Sequence, residues 1–244
     1  MSAHLFSLAP SDGERVGVRG RLFPRRWFYP DAPGQSVGLP KQLRKIIFYC
    51  SLPGLAAISS AAPLSFDFKD AKGVNNVIFK LEAPLEKISG SGAGLSGKVT
   101  FDPDNPGAVK GKIVLAVASL HVPNPRMKEH LHSSMWMDAG QYPEITFELV
   151  QAQAVKTDGT NTTANIAGKL TVKGVTRDVT VPVKMTFLKD KLKMRQGKEG
   201  DLLVVQATFS IHRGDFGINA ARMEDKVSDT IQLSLNLVGS APRS

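Results

Sequence analysis

Val179-Thr180-Val181-Pro182-Val183-Lys184-Met185-Thr186-Phe187 alternates apolar and polar residues without a break. A period of two puts every second side chain on one face, which is the pattern of a strand with one face buried and the other wet. The same period recurs on either side. Leu203, Val205, Ala207, Phe209 and Ile211 alternate with Gln206, Thr208, Ser210 and His212, and Ile231, Leu233, Leu235 and Leu237 alternate with Gln232, Ser234 and Asn236. Upstream, Ile145, Phe147 and Leu149 alternate with Thr146 and Glu148, while Val77, Phe79 and Leu81 alternate with Ile78, Lys80 and Glu82. Val99 and Phe101 flank Thr100, and the segment 110–120 is apolar on both faces.

Eight strands follow, near 74–82, 96–101, 110–120, 144–152, 164–172, 177–187, 202–212 and 230–238. Turn residues separate them, among them Asp102-Pro103-Asp104-Asn105-Pro106-Gly107 and the short Lys173-Gly174-Val175-Thr176. Between 124 and 139, Met127, Leu131 and Met135 recur every four residues with Trp136 beside them, so a short amphipathic helix interrupts the strands. The expected architecture is all-β: eight antiparallel strands, each with one apolar face, closed into a barrel or packed as a sandwich. Periodicity alone leaves barrel and sandwich, and open and filled interior, undecided. It does predict an apolar lumen, because the inward positions carry no charge.

Composition narrows the function classes. The 244 residues carry a formal charge of +9, but residues 1–62 hold eight Lys or Arg against three Asp or Glu. That leaves 23 basic and 19 acidic residues in 63–244, a net of +4. So mild a surplus does not point to nucleic acid, and Lys189-Asp190-Lys191-Leu192-Lys193 reads as a hydrophilic loop. The single cysteine, Cys50, precedes the alternating body, which therefore has no disulfide, CxxC metal site or cysteine nucleophile.

Lys41, Arg44 and Lys45 precede the apolar run Ile46–Ile58, which small residues Ser59-Ser60-Ala61-Ala62 follow. Basic, apolar, then small is the order of a secretory signal peptide, here 41–62, with a mature chain starting near Ala62 or Pro63. The run is too short for a membrane span and is interrupted by Pro53-Gly54. Residues 1–40 are rich in Arg, Pro and Gly without apolar period, an extension that initiation near Val37 or Leu39 would omit. The body, 63–244, is thus expected in the periplasm or outside the cell.

Other motifs fall short of chemistry. Gly92-Ala93-Gly94-Leu95-Ser96-Gly97-Lys98 resembles a phosphate loop, but Val99 stands where Ser or Thr would hold magnesium, and a strand follows instead of a helix. His130 and His132 are two apart and point to different sides of a helix, so no metal is expected. No G-x-S-x-G occurs and carboxylates are scattered, so no catalytic residue and no enzyme activity are expected.

The stretch Asn124-Pro125-Arg126-Met127-Lys128-Glu129-His130-Leu131-His132-Ser133-Ser134-Met135-Trp136-Met137-Asp138, leading into Tyr142-Pro143-Glu144-Ile145-Thr146-Phe147-Glu148, resembles the helix-and-strand signature of the YceI-like polyisoprenoid-binding family. Gly168-Lys169-Leu170-Thr171-Val172-Lys173-Gly174-Val175-Thr176-Arg177-Asp178-Val179-Thr180 resembles that family's second hairpin, and Gly97 to Pro103, Phe216-Gly217-Ile218 and Val227-Ser228-Asp229 match as well. The likeness covers about 65–238. It departs at Phe66-Asp67-Phe68-Lys69-Asp70 and Val77–Glu82, which lack the histidines usual there, and at Met127, Lys128 and His132 in the helix.

What the resemblance implies is a lipocalin-like barrel that carries an isoprenoid chain and uses no cofactor, the bound species being an isoprenoid or quinone-like lipid. The inward positions Phe79, Leu81, Phe101, Leu115, Phe147, Leu170, Met185, Phe209 and Ile211, with Leu131, Met135, Trp136 and Phe216, are the candidates to touch it. Asn124, Arg126 and Arg213 are the candidates to orient a polar head group. The other readings are a filled barrel that presents a surface to a membrane redox or lipid-handling partner, and an enzyme acting on a lipid head group.

Overall fold

In the strand Asn161–Val172, every second residue from Thr162 to Val172 is buried, so the alternation in the sequence becomes an alternation of burial along the strand. The computed structural model describes residues 62–70, 72–219 and 222–243; the proposed leader and the extension before it lie outside the described residues. The elements are β1 (Leu64–Asp67), β2 (Asn76–Glu82), β3 (Lys87–Gly92), β4 (Leu95–Phe101), β5 (Lys110–Ala116), β6 (Leu120–His121), α1 (Pro125–His132), β7 (Glu144–Asp158), β8 (Asn161–Val172), β9 (Val175–Leu188), α2 (Leu192–Gln196), β10 (Gly200–His212) and β11 (Thr230–Pro242).

Six of the shorter segments are the halves of three interrupted strands. β1 and β2 both pair with β11, at Asp67↔Ser240 and from Asn76↔Asn236 to Lys80↔Gln232. On their other side they pair with β4 and β3, and β4 and β3 pair in turn with β5 and β6. β5, β7, β8, β9, β10 and β11 follow in sheet order. The result is an eight-stranded antiparallel barrel in which every long strand has two neighbours, so no sheet edge is left open. This decides between barrel and sandwich in favour of the barrel.

The differences from the sequence reading have physical causes. β3, Lys-Ile-Ser-Gly-Ser-Gly, alternates in burial but carries one apolar side chain, so its inward Gly90 and Gly92 give no hydropathy signal, and Phe79 fills the space beside Gly90. A Cβ on Gly90 would lie 2.1 Å from the tip of the Phe79 ring. The apolar segment 110–120 is not one strand. It breaks at a 3₁₀ turn over Val117–Ser119, between β5 and the two-residue β6. β7 runs on to Asp158, six residues past the expected end. Register shifts between Leu149 and Gln151 and between Gln153 and Lys156, with Ala154 at φ +50, disguise that extension as loop. The expected hydrophilic loop near 189–193 contains the start of α2, whose Leu192 is fully buried.

α1 is shorter than expected. The Asn124 side chain accepts hydrogen bonds from the Arg126 and Met127 amides and caps its start. The helix ends at His132, and the chain then folds back, with the amides of Met137 and Ala139 donating to the carbonyls of Leu131 and His132. Met135 therefore lies outside the helix and does not continue a stripe with Met127 and Leu131.

The two ends of the barrel differ. At one end Phe66, Phe101 and Phe187 pack ring to ring with centroids 6.3–6.5 Å apart, in a layer that also holds the fully buried Leu203. At the other end, α1 with its fold-back and the segment after β10 lie across the barrel.

Candidate functional site

The lumen contains a cavity of about 460 Å³, within the range of sites that bury small molecules. Its walls are the inward residues of the strands. Among the described residues that line it, Glu86, His130, Arg213 and Lys226 are the polar ones, and the rest are aliphatic, aromatic or methionine. These four belong to the turn after β2, to α1 and to the segment between β10 and β11, so polarity is confined to the elements at the mouth.

Aromatic side chains reach the lumen over glycines on neighbouring strands. Phe79 is paired with Gly90, and a Cβ on Gly168 would lie 2.5 Å from the tip of the Phe147 ring. A glycine opposite a large ring lets the ring lie flat along the wall instead of standing across the lumen. That geometry keeps the centre of the barrel open although large residues line it.

Of the residues expected from the sequence, Phe79, Leu81, Leu115, Leu131, Met135, Trp136, Phe147, Leu170, Met185, Phe209 and Ile211 line the cavity. Two do not. Phe101 points inward but belongs to the aromatic cluster of the sealed end, and Phe216 is buried in the 3₁₀ helix Arg213–Phe216. Met135 borders the cavity while 62% exposed, which places it at the rim. Met127, Met137, Ile218, Met223 and Val227 also border the cavity and are not among the expected residues. All five lie off the strands, where no period of two marks them. Only Met127 carried a signal, as part of the four-residue spacing before Leu131.

The three head-group candidates separate. Asn124 is spent on capping α1, and Arg126 is exposed and outside the lining. Arg213 does border the cavity and is completely buried, but its hydrogen-bond donors are all engaged by backbone. Nε donates to the Ser228 carbonyl at 3.1 Å. Nη1 donates to the carbonyls of Ile218, at 3.1 Å, and Asn219, and Nη2 to those of Arg222, at 2.7 Å, and Val227, at 3.1 Å. Its guanidinium also lies 5.8 Å from the centre of the Trp136 ring, a cation–π contact. Arg213 thus joins the two coverings of the mouth: it holds the carbonyls of the segment leading to β11 and stacks on the fold-back of α1. A further tie runs from the Lys173 Nζ, in the turn between β8 and β9, to the Ser134 carbonyl at 2.9 Å.

The glycine-rich stretch 92–98 joins β3 to β4 through a bend, with a strand on each side. Among the described residues no three His, Cys, Asp or Glu side chains come together as a metal site.

Comparison with known proteins agrees with this architecture. The model of the YceI-like domain matches residues 70–239. A UPF0312 protein of Pseudomonas putida is 32% identical over 192 residues, covering 76% of this chain and 92% of the relative. One from Pseudomonas fluorescens is 34% identical over 137 residues, 53% of this chain and 64% of the relative. Among solved structures, Burkholderia cenocepacia BcnA superposes with a TM-score of 0.56 at 23% identity, over 67% of this chain and 95% of that one. A polyisoprenoid binding domain from Saccharophagus degradans superposes at 0.53 with 12% identity, over 74% and 100%. At these identities the structural likenesses concern the fold. With the domain match spanning most of the chain, the closed antiparallel barrel and its apolar lumen are those of a member of the YceI-like family, to which this chain belongs.

Proposed function

We propose that this protein binds a polyisoprenoid or a similar amphiphile in its lumen and catalyses no reaction. The observation that carries the reading is the cavity of about 460 Å³ whose polar lining is confined to the mouth. Such a space offers a hydrocarbon tail an interior without competing hydrogen bonds. Each CH₂ moved out of water contributes about 0.8 kcal/mol, so a tail can bind firmly through desolvation alone. The Saccharophagus degradans neighbour, described as a polyisoprenoid binding domain, supports the same ligand class. Release of bound material by denaturing extraction, followed by mass spectrometry, tests it. An isoprenoid or quinone-like lipid in stoichiometric amount is expected; a protein that is empty after purification and takes up no added isoprenoid would overturn the reading.

We propose further that residues 41–62 direct export and are removed, so that the barrel works in the periplasm or outside the cell, where a membrane lipid-handling or redox protein would exchange ligand with it. The support is the basic, apolar, small order of that segment. N-terminal sequencing of protein from the exporting cell should begin near Ala62. Recovery of residues 1–60 on the mature protein would overturn the export reading.

A further inference from the structure

The wall of the cavity stops at one level of the barrel. On β10 and β11 the lining runs from Ile211 and Ile231, near the mouth, to Val205 and Leu237. Ile211 pairs with Ile231 and Val205 with Leu237, so both strands mark the same two levels. At ~3.4 Å per residue along strands tilted by roughly 40°, the six steps between them span about 15 Å of barrel axis.

One inward position farther along β10, β11, β9 and β4, the side chains no longer border the cavity, although Val109, just before β5, still does. Val205 gives way to Leu203, Leu237 to Gly239, Met185 to Phe187 and Val99 to Phe101. Leu203 pairs with both Gly239 and Phe187, so these residues form one layer across three strands. Gly239 leaves room for aromatic rings: a Cβ there would lie 2.7 Å from the Phe68 ring and 3.0 Å from the Phe66 Cβ. Phe66 and Phe101 are almost completely buried, and their contacts with Phe187 complete the seal.

We infer that this aromatic layer is a floor that sets the length of tail the protein accommodates, with Phe101 and Phe187 as its length-determining residues. The inference rests on the tail-binding reading of the cavity. The lining extends about 15 Å along the barrel axis from mouth to floor, so a tail reaches the floor once its extended length is about 15 Å. Tail beyond that length meets the floor and leaves its remainder at the mouth, where the rim residue Met135 is exposed. Affinity therefore rises with tail length only until the floor is reached.

The test is a titration of the full chain with a series of all-trans isoprenols of increasing length. Below the break, affinity should rise by up to roughly fourfold per CH₂-sized group buried, and it should level off once the extended tail exceeds about 15 Å. Phe101→Ala opens the floor and should move the break to a longer alcohol. Val99→Phe fills the lowest part of the cavity, leaves the floor intact and should move the break to a shorter one. Affinity that rises through the whole series without a break, or a break at one length in wild type and in the variants, would overturn the inference. If Phe101→Ala does not fold, Val99→Phe decides alone. Absence of binding at every length would overturn the tail-binding reading itself, and the floor inference with it.

Discussion

Arg213 is the residue whose removal the structure prices most clearly. Arg213→Met keeps side-chain length and apolar stem but removes five donated hydrogen bonds, to the carbonyls of Ser228, Ile218, Asn219, Arg222 and Val227. Hydrogen bonds from a charged group contribute about 1.5–3 kcal/mol each in mutational series, so five would add to about 8–15 kcal/mol if they were independent. They are not independent. Burial of the guanidinium costs several kcal/mol that the variant recovers, and the freed carbonyls can regain water if the segment opens. Among the described residues no carboxylate pairs with Arg213, so no second charge is left stranded. With each carbonyl that stays buried without a partner costing about 1–3 kcal/mol and some of the five regaining water, the expected loss is about 3–5 kcal/mol, concentrated at the mouth. Chemical denaturation gives the global part, and amide hydrogen exchange the local part. The Gly217, Ile218 and Val227 amides, which donate to Gly214, Arg213 and Met223 carbonyls, should lose protection before the amides of β8 do. Arg213→Lys, a point charge with three donors, should recover only part of the loss. A stability change for Arg213→Met within about 0.5 kcal/mol, the range of ordinary surface substitutions, together with unchanged exchange at those amides, would refute this account of the mouth.

Strand parity predicts that a charge in the lumen costs more than one outside: Phe147→Asp should destabilise by about 3 kcal/mol or more, while Thr208→Asp on the exposed face should stay within about 0.5 kcal/mol, as thermal midpoints will show. Acid should weaken the barrel through Asp70. Burial alone would raise this carboxyl, but the amides of Asn75, Lys72 and Val74 and the Arg195 guanidinium outweigh it and hold it below its ordinary 3.8. Because the folded value lies below the unfolded one, the stabilisation is present above the unfolded value and is lost as pH falls through the folded one. Asp70→Asn should therefore flatten the fall of the urea midpoint below about pH 4; an identical fall in wild type and variant would show that Asp70 contributes nothing to it. Finally, in a Trp27→Phe chain all tryptophan emission comes from Trp136, which borders the cavity. A quinone-headed isoprenoid should quench it, and unchanged emission with the lipid shown to co-elute would mean that the ligand does not reach the α1 fold-back.

The sequence by itself determined most of the long strands, their buried faces and most of the lumen. A period of two leaves each inward side chain no choice of face once one side of the sheet is dry, so Phe79, Phe147, Leu170, Met185, Phe209 and Ile211 were legible as lining residues. The family signature at 124–148 likewise located the element that covers the mouth. Only the tertiary structure decided the rest. It showed that Phe101, with the right parity, sits one layer too deep to border the cavity, because level along the barrel is set by strand register and not by period. It showed β3, whose glycines have no side chains to alternate and whose Gly90 lies beneath the Phe79 ring. It also assigned Arg213 to the backbone carbonyls that cover the mouth instead of to a head group. A guanidinium's partners there come from residues five to fifteen positions away on a segment without regular structure, and no local pattern in the chain encodes where those carbonyls point.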